Sequence, residues 1–277
     1  MKRLLLLFLA TSCSAQDPIQ FAPFMRLAPA SFPDLTNIAN MVLWVDVTQA
    51  TNTTYAGAPT NGSLIDDIVL DLSPANHVLT ANGSTLYYFA SGGGYDGTRP
   101  YLILTNDNKV GTTEALAATN RFTMGIVWKP IGVGDNGPFW QDGNTALGGP
   151  ATHVDFNNSG PDNLDNDNAY NVSNGADLES DVNSRSANWQ TSFFVCNSTN
   201  SELWLNGSQI KTGTAGTSFT INNGPIGYSG WGGASGLGAN WCAIEFARGL
   251  VWARPLTSNE VYLASARCMT DFGGTPP

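Results

Sequence analysis

The densest set of possible metal ligands in the sequence is the run from His153 to Asn168, which holds Asp155, Asp162, Asp165 and Asp167 among asparagines and a Gly-Pro turn. Calcium takes roughly six to eight oxygen ligands, and closely spaced Asp carboxylates, Asn amides and backbone carbonyls supply them. Calcium is therefore the expected cation, and the bland alternative is a solvated acidic loop. A second chemistry lies in aromatic residues placed among turn formers: Tyr95, Trp140, Tyr170, Tyr228 and Trp231. An aromatic face flanked by amides and carboxylates suits the apolar face of a pyranose, so these five are the expected ligand-binding residues. Trp140 in Pro138-Phe-Trp-Gln-Asp142 and Trp231 in Tyr228-Ser-Gly-Trp-Gly-Gly233 stand out, with folding back over the core as the competing role. Trp44, Trp128, Trp204 and Trp252 sit in apolar runs and read as core. The two histidines, His77 and His153, have no Gly-x-Ser-x-Gly nucleophile elbow, so acyl transfer has no support. No Cys-x-x-Cys or Cys-His spacing suggests zinc.

The elements that position these residues read as short strands. Apolar runs over 41–47, 64–72, 84–90, 100–105, 121–129, 152–157, 190–196, 201–206, 217–221, 225–229 and 241–252 alternate with Gly, Asn and Pro, without a sustained helical period. Asn206-Gly207 supplies the two positive φ angles of a type I′ turn, so the chain reverses there. Thr257 or Ser258 before Glu260 has the spacing of a helix cap, and a short helix is expected to follow.

With 277 residues and 42% hydrophobic content, the chain is long enough for one full sandwich core. Only 12% of residues are charged, so the surface is solvated mainly by neutral polar groups. A net charge of −10 with only 12 Lys and Arg excludes nucleic acid as the expected partner, since phosphate contacts need clustered cations. Met1-Lys-Arg followed by Leu4 to Ala10 reads as a secretory signal over residues 1–15, too short to cross a bilayer. It ends either in cleavage after Ala15 or in lipidation of Cys13, and only the second would tie the chain to a membrane. Residues 16–40, with prolines at 18, 23, 29 and 33 and sticky Phe21, Phe24 and Met25, read as an extended arm that lies on the domain, docks on a second copy, or serves as a tether. Cys196 and Cys242 fall in apolar strand patterns, where an unpaired thiol behaves as a small hydrophobe.

The order of motifs resembles the concanavalin A-like lectin/glucanase superfamily, in particular its laminin G-like branch. Met41-Val-Leu-Trp-Val-Asp46 resembles the opening strand, and Gly97-Thr-Arg-Pro-Tyr-Leu-Ile-Leu104 and Arg121-Phe-Thr-Met-Gly-Ile-Val-Trp-Lys-Pro130 resemble core strands. Ser201-Glu-Leu-Trp-Leu-Asn-Gly207, the Gly-rich run, Cys242 to Trp252 and Pro255-Leu-Thr-Ser-Asn-Glu-Val261 resemble the family's closing hairpin, strand and helix. The resemblance implies an all-β, concanavalin A-like jelly-roll sandwich of two antiparallel sheets over 41–277. Glycan-cleaving members carry Glu-x-Asp-x-x-Glu on one strand. Here Glu179 and Asp181 are followed by Ser184 where the second Glu belongs, so no catalytic pair is expected. The acidic run partly resembles the legume-lectin metal loop, with Asp155 and Asp162 at the spacing of its two Asp residues but His153 in place of its Glu. The resulting expectation is a secreted or surface-bound, non-catalytic carbohydrate-binding or adhesion protein. Its rival is a decoration, fibre or spike protein of a virion or extracellular filament, docked through residues 17–35. A divergent glycan hydrolase or lyase ranks third.

Overall fold

The structure, a computed structural model, describes residues 34–49, 63–65, 71–82, 86–104, 109–131, 139–142, 153–155, 178, 188–215, 220–221, 229–232 and 244–277. These belong to one compact unit, Phe32–Pro277. It is an all-β sandwich of antiparallel strands, with one α-helix among the described residues. Among the described residues one sheet holds β1 (Met41–Asp46), β2 (Ser63–Ile65), β4 (Leu86–Gly93), β5 (Arg99–Leu104), β7 (Phe122–Pro130), β10 (Gln190–Cys196), β11 (Ser201–Leu205), β12 (Ser208–Gly213) and β14 (Ile244–Trp252). Its order is β12-β11-β10-β7-β14-β5-β4-β2, with β1 paired to β14 end to end with β5. The second sheet runs β3 (Leu79–Asn82), β6 (Lys109–Thr112), β13 (Ser229–Gly232), β8 (Phe139–Asp142) and β9 (His153–Asp155).

Strand side chains alternate between faces, and both faces of the large sheet are covered. Leu43, Val45, Leu102, Leu104, Met124, Ile126, Phe194 and Phe246 point to the small sheet, where they meet Leu79, Val110 and Trp231. Val127, Phe193, Leu250 and Trp252 point the other way, against the helix α1 (Ser258–Asp271) and the 3-10 turn Leu35–Asn37. Leu35 is 1% exposed, so residues the sequence reading gives to the arm are part of the folded core.

Helix α1 begins at the expected cap. Thr257 Oγ1 accepts from Glu260 N at 3.3 Å, and Glu260 Oε2 accepts from Thr257 N at 2.8 Å, a reciprocal capping box. Arg254 donates to the Glu260 carboxylate and, with the cap, holds its pKa down at about 2. Val261, Ala264, Cys268 and Phe272 recur at the helical spacing and all lie at 0% exposure, each larger side chain contributing about 1.5–3 kcal/mol on burial. The short helix expected there is 14 residues long. The Asn206-Gly207 reversal also forms as read, with φ of 48° and 79°.

Trp231 shows how the two sheets interlock. Its ring lies against Gly249 of β14, where any Cβ would overlap the indole. It is fully buried, so of the two roles open to it the core role is the one it fills. Trp231→Ala is expected to lower unfolding free energy by about 3–5 kcal/mol, read by chemical denaturation, because the cavity sits between the sheets.

Candidate functional site

The outer face of the large sheet carries an open cleft of about 560 Å³. β1 turns Leu43 and Val45 inward and therefore Trp44 and Asp46 outward. On β14 a bulge between Phe246 and Arg248 shifts the register against β7, and on the other side Arg248 stands opposite Asp46 of β1. Arg267 and Asp271 come from the last turns of α1, Arg99 from the start of β5, and Asp34 from the cap of the 3-10 turn, and all line the cleft.

Arg248 is the hub of its wall, with only 4% of its side chain exposed. Its Nε and Nη2 donate to Asp46 Oδ2, the former at 2.9 Å, and its Nη1 donates to Asp271 Oδ2 at 2.8 Å. Its guanidinium carbon also lies 4.9 Å from the centre of the Phe272 ring and 5.6 Å from that of Trp44. Burial opposes the Arg248 charge, yet its neighbours, Asp46 and Asp271 among them, push its pKa above the ordinary value. Burial in turn pushes the Cys268 thiol up to about 11, so it is protonated at neutral pH and the two carboxylates balance the arginine there. Asp46 Oδ1 accepts from Thr48 N at 2.9 Å and Thr48 Oγ1 at 2.6 Å. Arg267 Nε reaches Asp271 Oδ1 at 2.8 Å. These carboxylates are thus committed to building the wall.

Two groups at the cleft are not committed. Trp44 is half-buried, and its Nε1 is buried without an acceptor, a state that costs roughly 1–3 kcal/mol. Arg99 approaches Asp96 Oδ2 only to 3.5 Å and keeps 40% of its side chain exposed. Its strand continues the same face outward through Tyr101 and Ile103. Tyr101 stacks on Phe89 of β4 at 4.9 Å and 10°, and Trp189 meets its edge at 6.0 Å. Tyr87, 46% exposed, stands opposite Ile103 and extends this aromatic ledge along β4. A half-buried indole, an uncommitted guanidinium and an adjoining aromatic ledge can receive a ring with one apolar face and oxygen acceptors at its rim.

Of the residues singled out from sequence, the described ones, Tyr95, Trp140, Trp231 and Asp155, are not among those that line the cleft. Tyr95 packs beside the helix, with its hydroxyl 2.8 Å from Thr191 Oγ1 and donating to Asn206 Oδ1 at 2.9 Å, which ties the 206–207 turn to β10. Trp231 is core, as described above. Trp140 lies on β8, in register with Trp231. Tyr170 and Tyr228 lie outside the described residues, as do Asp162, Asp165, Asp167, Glu179 and Asp181, while Asp155 lies on β9 opposite Phe139. Among the described residues no group of three or more His, Cys, Asp or Glu side chains could hold a metal. His77 Nδ1 faces Asp71 Oδ2 at 2.8 Å in a turn, distant in sequence from His153 on β9. Cys196 is buried, as the apolar pattern predicts, with its Sγ 3.5 Å from Asn120 O, and Cys268 is a buried thiol too. Trp44, read from sequence as core, instead lines the cleft. The usable signal was period-2 alternation: Trp44 shares a strand face with Asp46, and a carboxylate on that face needs a cation.

The sequence matches no protein-family model and no curated protein. Solved structures share the fold. Domain 4 of AbnA, a GH43 extracellular arabinanase from Geobacillus stearothermophilus, in complex with arabinotriose, aligns at TM-score 0.53 and 13% identity, over 81% of this chain and 98% of that one. The binding domain of Paraclostridial Mosquitocidal Protein 1 aligns at TM-score 0.54 and 14% identity, over 85% of this chain and 53% of that one. The receptor binding domain of botulinum neurotoxin D aligns at TM-score 0.51 and 8% identity, over 85% and 54%. The chain thus spans about half the length of those two toxin domains. At such identities the likeness is one of fold: the chain is an all-β sandwich.

Proposed function

We propose that this chain is a secreted, non-catalytic carbohydrate-binding or adhesion protein of the concanavalin A-like type, with its glycan seated in the cleft beside Trp44. The observation that carries the reading is the half-buried Trp44 indole, with its unsatisfied N–H, in the wall of an open cleft that also holds the uncommitted Arg99. The fold shared with an arabinotriose-bound domain supports it as an analogy of scaffold. Fixed carboxylates and arginines around an aromatic wall suit binding, since Asp46 and Asp271 are held by Arg248 rather than presented as a free acid and base. Calcium at the acidic run 155–167 remains part of the proposal, as a support for the loops of the small sheet.

The test is a glycan-array screen of the purified full chain, run with calcium and with chelator. Selective binding is expected, and Trp44→Ala is expected to weaken the best ligand about tenfold or more, while Trp44→Phe, which keeps a ring, loses less. Array-wide silence from folded protein would contradict the reading. Silence accompanied by self-assembly through residues 17–35 would point to the structural rival. Loss of binding with chelator would assign calcium a supporting role.

A further inference from the structure

We infer that the ligand of this cleft carries a carboxylate on its sugar ring, as a uronate-containing saccharide does, and that Arg99 takes up that carboxylate. The inference rests on the proposed carbohydrate-binding role of the same site and specifies its ligand.

In a chain of net charge −10, most of the surface repels an anion, so the places where cations gather decide where an acidic ligand can dock. Of the 12 Lys and Arg, Arg99, Arg248 and Arg267 all line this one cleft. Their donors are not equally available. Arg248 spends its guanidinium on Asp46 and Asp271 and is closed off from solvent. Arg267 Nε is held by Asp271. Among the described residues Arg99 Nε has no hydrogen bond, and Asp96, its ion-pair partner, stays at 3.5 Å, beyond good hydrogen-bond length. Asp96 is itself engaged, because its Oδ1 accepts from Thr98 N at 2.9 Å and Thr98 Oγ1 at 2.8 Å.

Arg99 is also braced. Its stem lies against Gly94, where an added Cβ would fall 2.7 Å from Arg99 Cγ, so the bare glycine makes room for the side chain. A braced, planar guanidinium matches a carboxylate in a two-point contact and loses little rotamer freedom on binding. A neutral sugar hydroxyl offers one acceptor and adds no counter-charge to the one that Asp96 supplies at 3.5 Å. A uronate places the carboxylate on the ring itself, so one sugar unit presents both an apolar face to Trp44 and an anion to Arg99. Asp34, exposed on the cleft's rim with its Oδ1 accepting from Thr36 N at 3.0 Å, is the carboxylate that opposes such a ligand.

The experiment is titration calorimetry on the full chain with oligogalacturonate, alginate and hyaluronan oligomers. Each is paired with its methyl-esterified or carboxyl-reduced form, beside dextran sulfate and a neutral arabinan. Expected results are binding of at least one uronate oligomer, loss of about tenfold or more on esterification, a similar loss in Arg99→Gln, a smaller loss in Arg99→Lys, and tighter binding in Asp34→Asn, which keeps the bond to Thr36. Binding must also weaken with salt. Should Arg99→Gln melt well below the parent chain, the ester and reduced-sugar comparisons on the parent decide alone. Equal binding of neutral and acidic forms would overturn this inference while leaving the carbohydrate-binding role standing. Binding of dextran sulfate without any uronate would overturn it as well, and silence toward every saccharide would remove both.

Discussion

Arg248→Met is expected to destabilise the protein by about 3–5 kcal/mol, the cost of leaving buried charges without their partner. Asp46 has 3% of its side chain exposed, and its Oδ2 is served by Arg248 alone among the described contacts. Removing the guanidinium strands that carboxylate between β1 and β14, and it also leaves Asp271, at the end of α1, to its bond with Arg267. Three elements distant in sequence then lose their common tie. Arg248→Lys should recover only part of the loss, since one ammonium cannot reach both carboxylates in the forked geometry. Guanidinium unfolding monitored by circular dichroism measures both variants. A loss under about 1 kcal/mol for Arg248→Met would show that the network is not the tie described.

Asp71→Ala is expected to cost about 3 kcal/mol or more, for a different reason. One carboxylate, 3% exposed, organises the whole turn that follows it. Its Oδ1 accepts from Trp44 N and Ser73 N, both at 2.9 Å, and its Oδ2 accepts from Ser73 Oγ at 2.8 Å and His77 N at 2.9 Å, with His77 Nδ1 at 2.8 Å. Alanine leaves several part-buried N–H groups without an acceptor at once, each a cost of roughly 1–3 kcal/mol where water cannot replace it. Because one of those donors is the backbone of Trp44, the same variant should weaken glycan binding without touching the ligand. Asp71→Asn, which keeps one carbonyl oxygen, should lose less of both. Equal stability of Asp71→Ala and the parent chain in denaturant titration would refute this account of the turn.

Much of the fold was legible where local chemistry decides it. β10 forms over the residues its apolar run marks, because Phe193, Phe194 and Val195 need cover on both faces of a central strand. The Asn206-Gly207 turn and the Thr257–Glu260 cap follow from backbone φ and side-chain reach, which depend on a few adjacent residues. β3, β6 and β8 escaped notice because strands such as Lys109–Thr112 carry few apolar residues. Pairing with a neighbour, rather than hydrophobicity, makes them strands.

The site was harder to read because its logic is non-local. Asp46 and Arg248 meet across 202 residues of sequence, and nothing near either residue announces the other. Trp231 looked exposed because glycines surround it, yet the glycine that matters is Gly249 on the opposite sheet, which admits the ring to the core. Trp44 looked buried because apolar residues surround it, yet those neighbours point to the opposite face of β1.

The most direct test of the central claim is a crystal structure of the chain with the tightest ligand from the glycan screen. The account predicts a sugar ring in the cleft beside Trp44, with an oxygen of the ligand within hydrogen-bond distance of Arg99. A saccharide bound elsewhere, with that cleft holding only solvent, would contradict it.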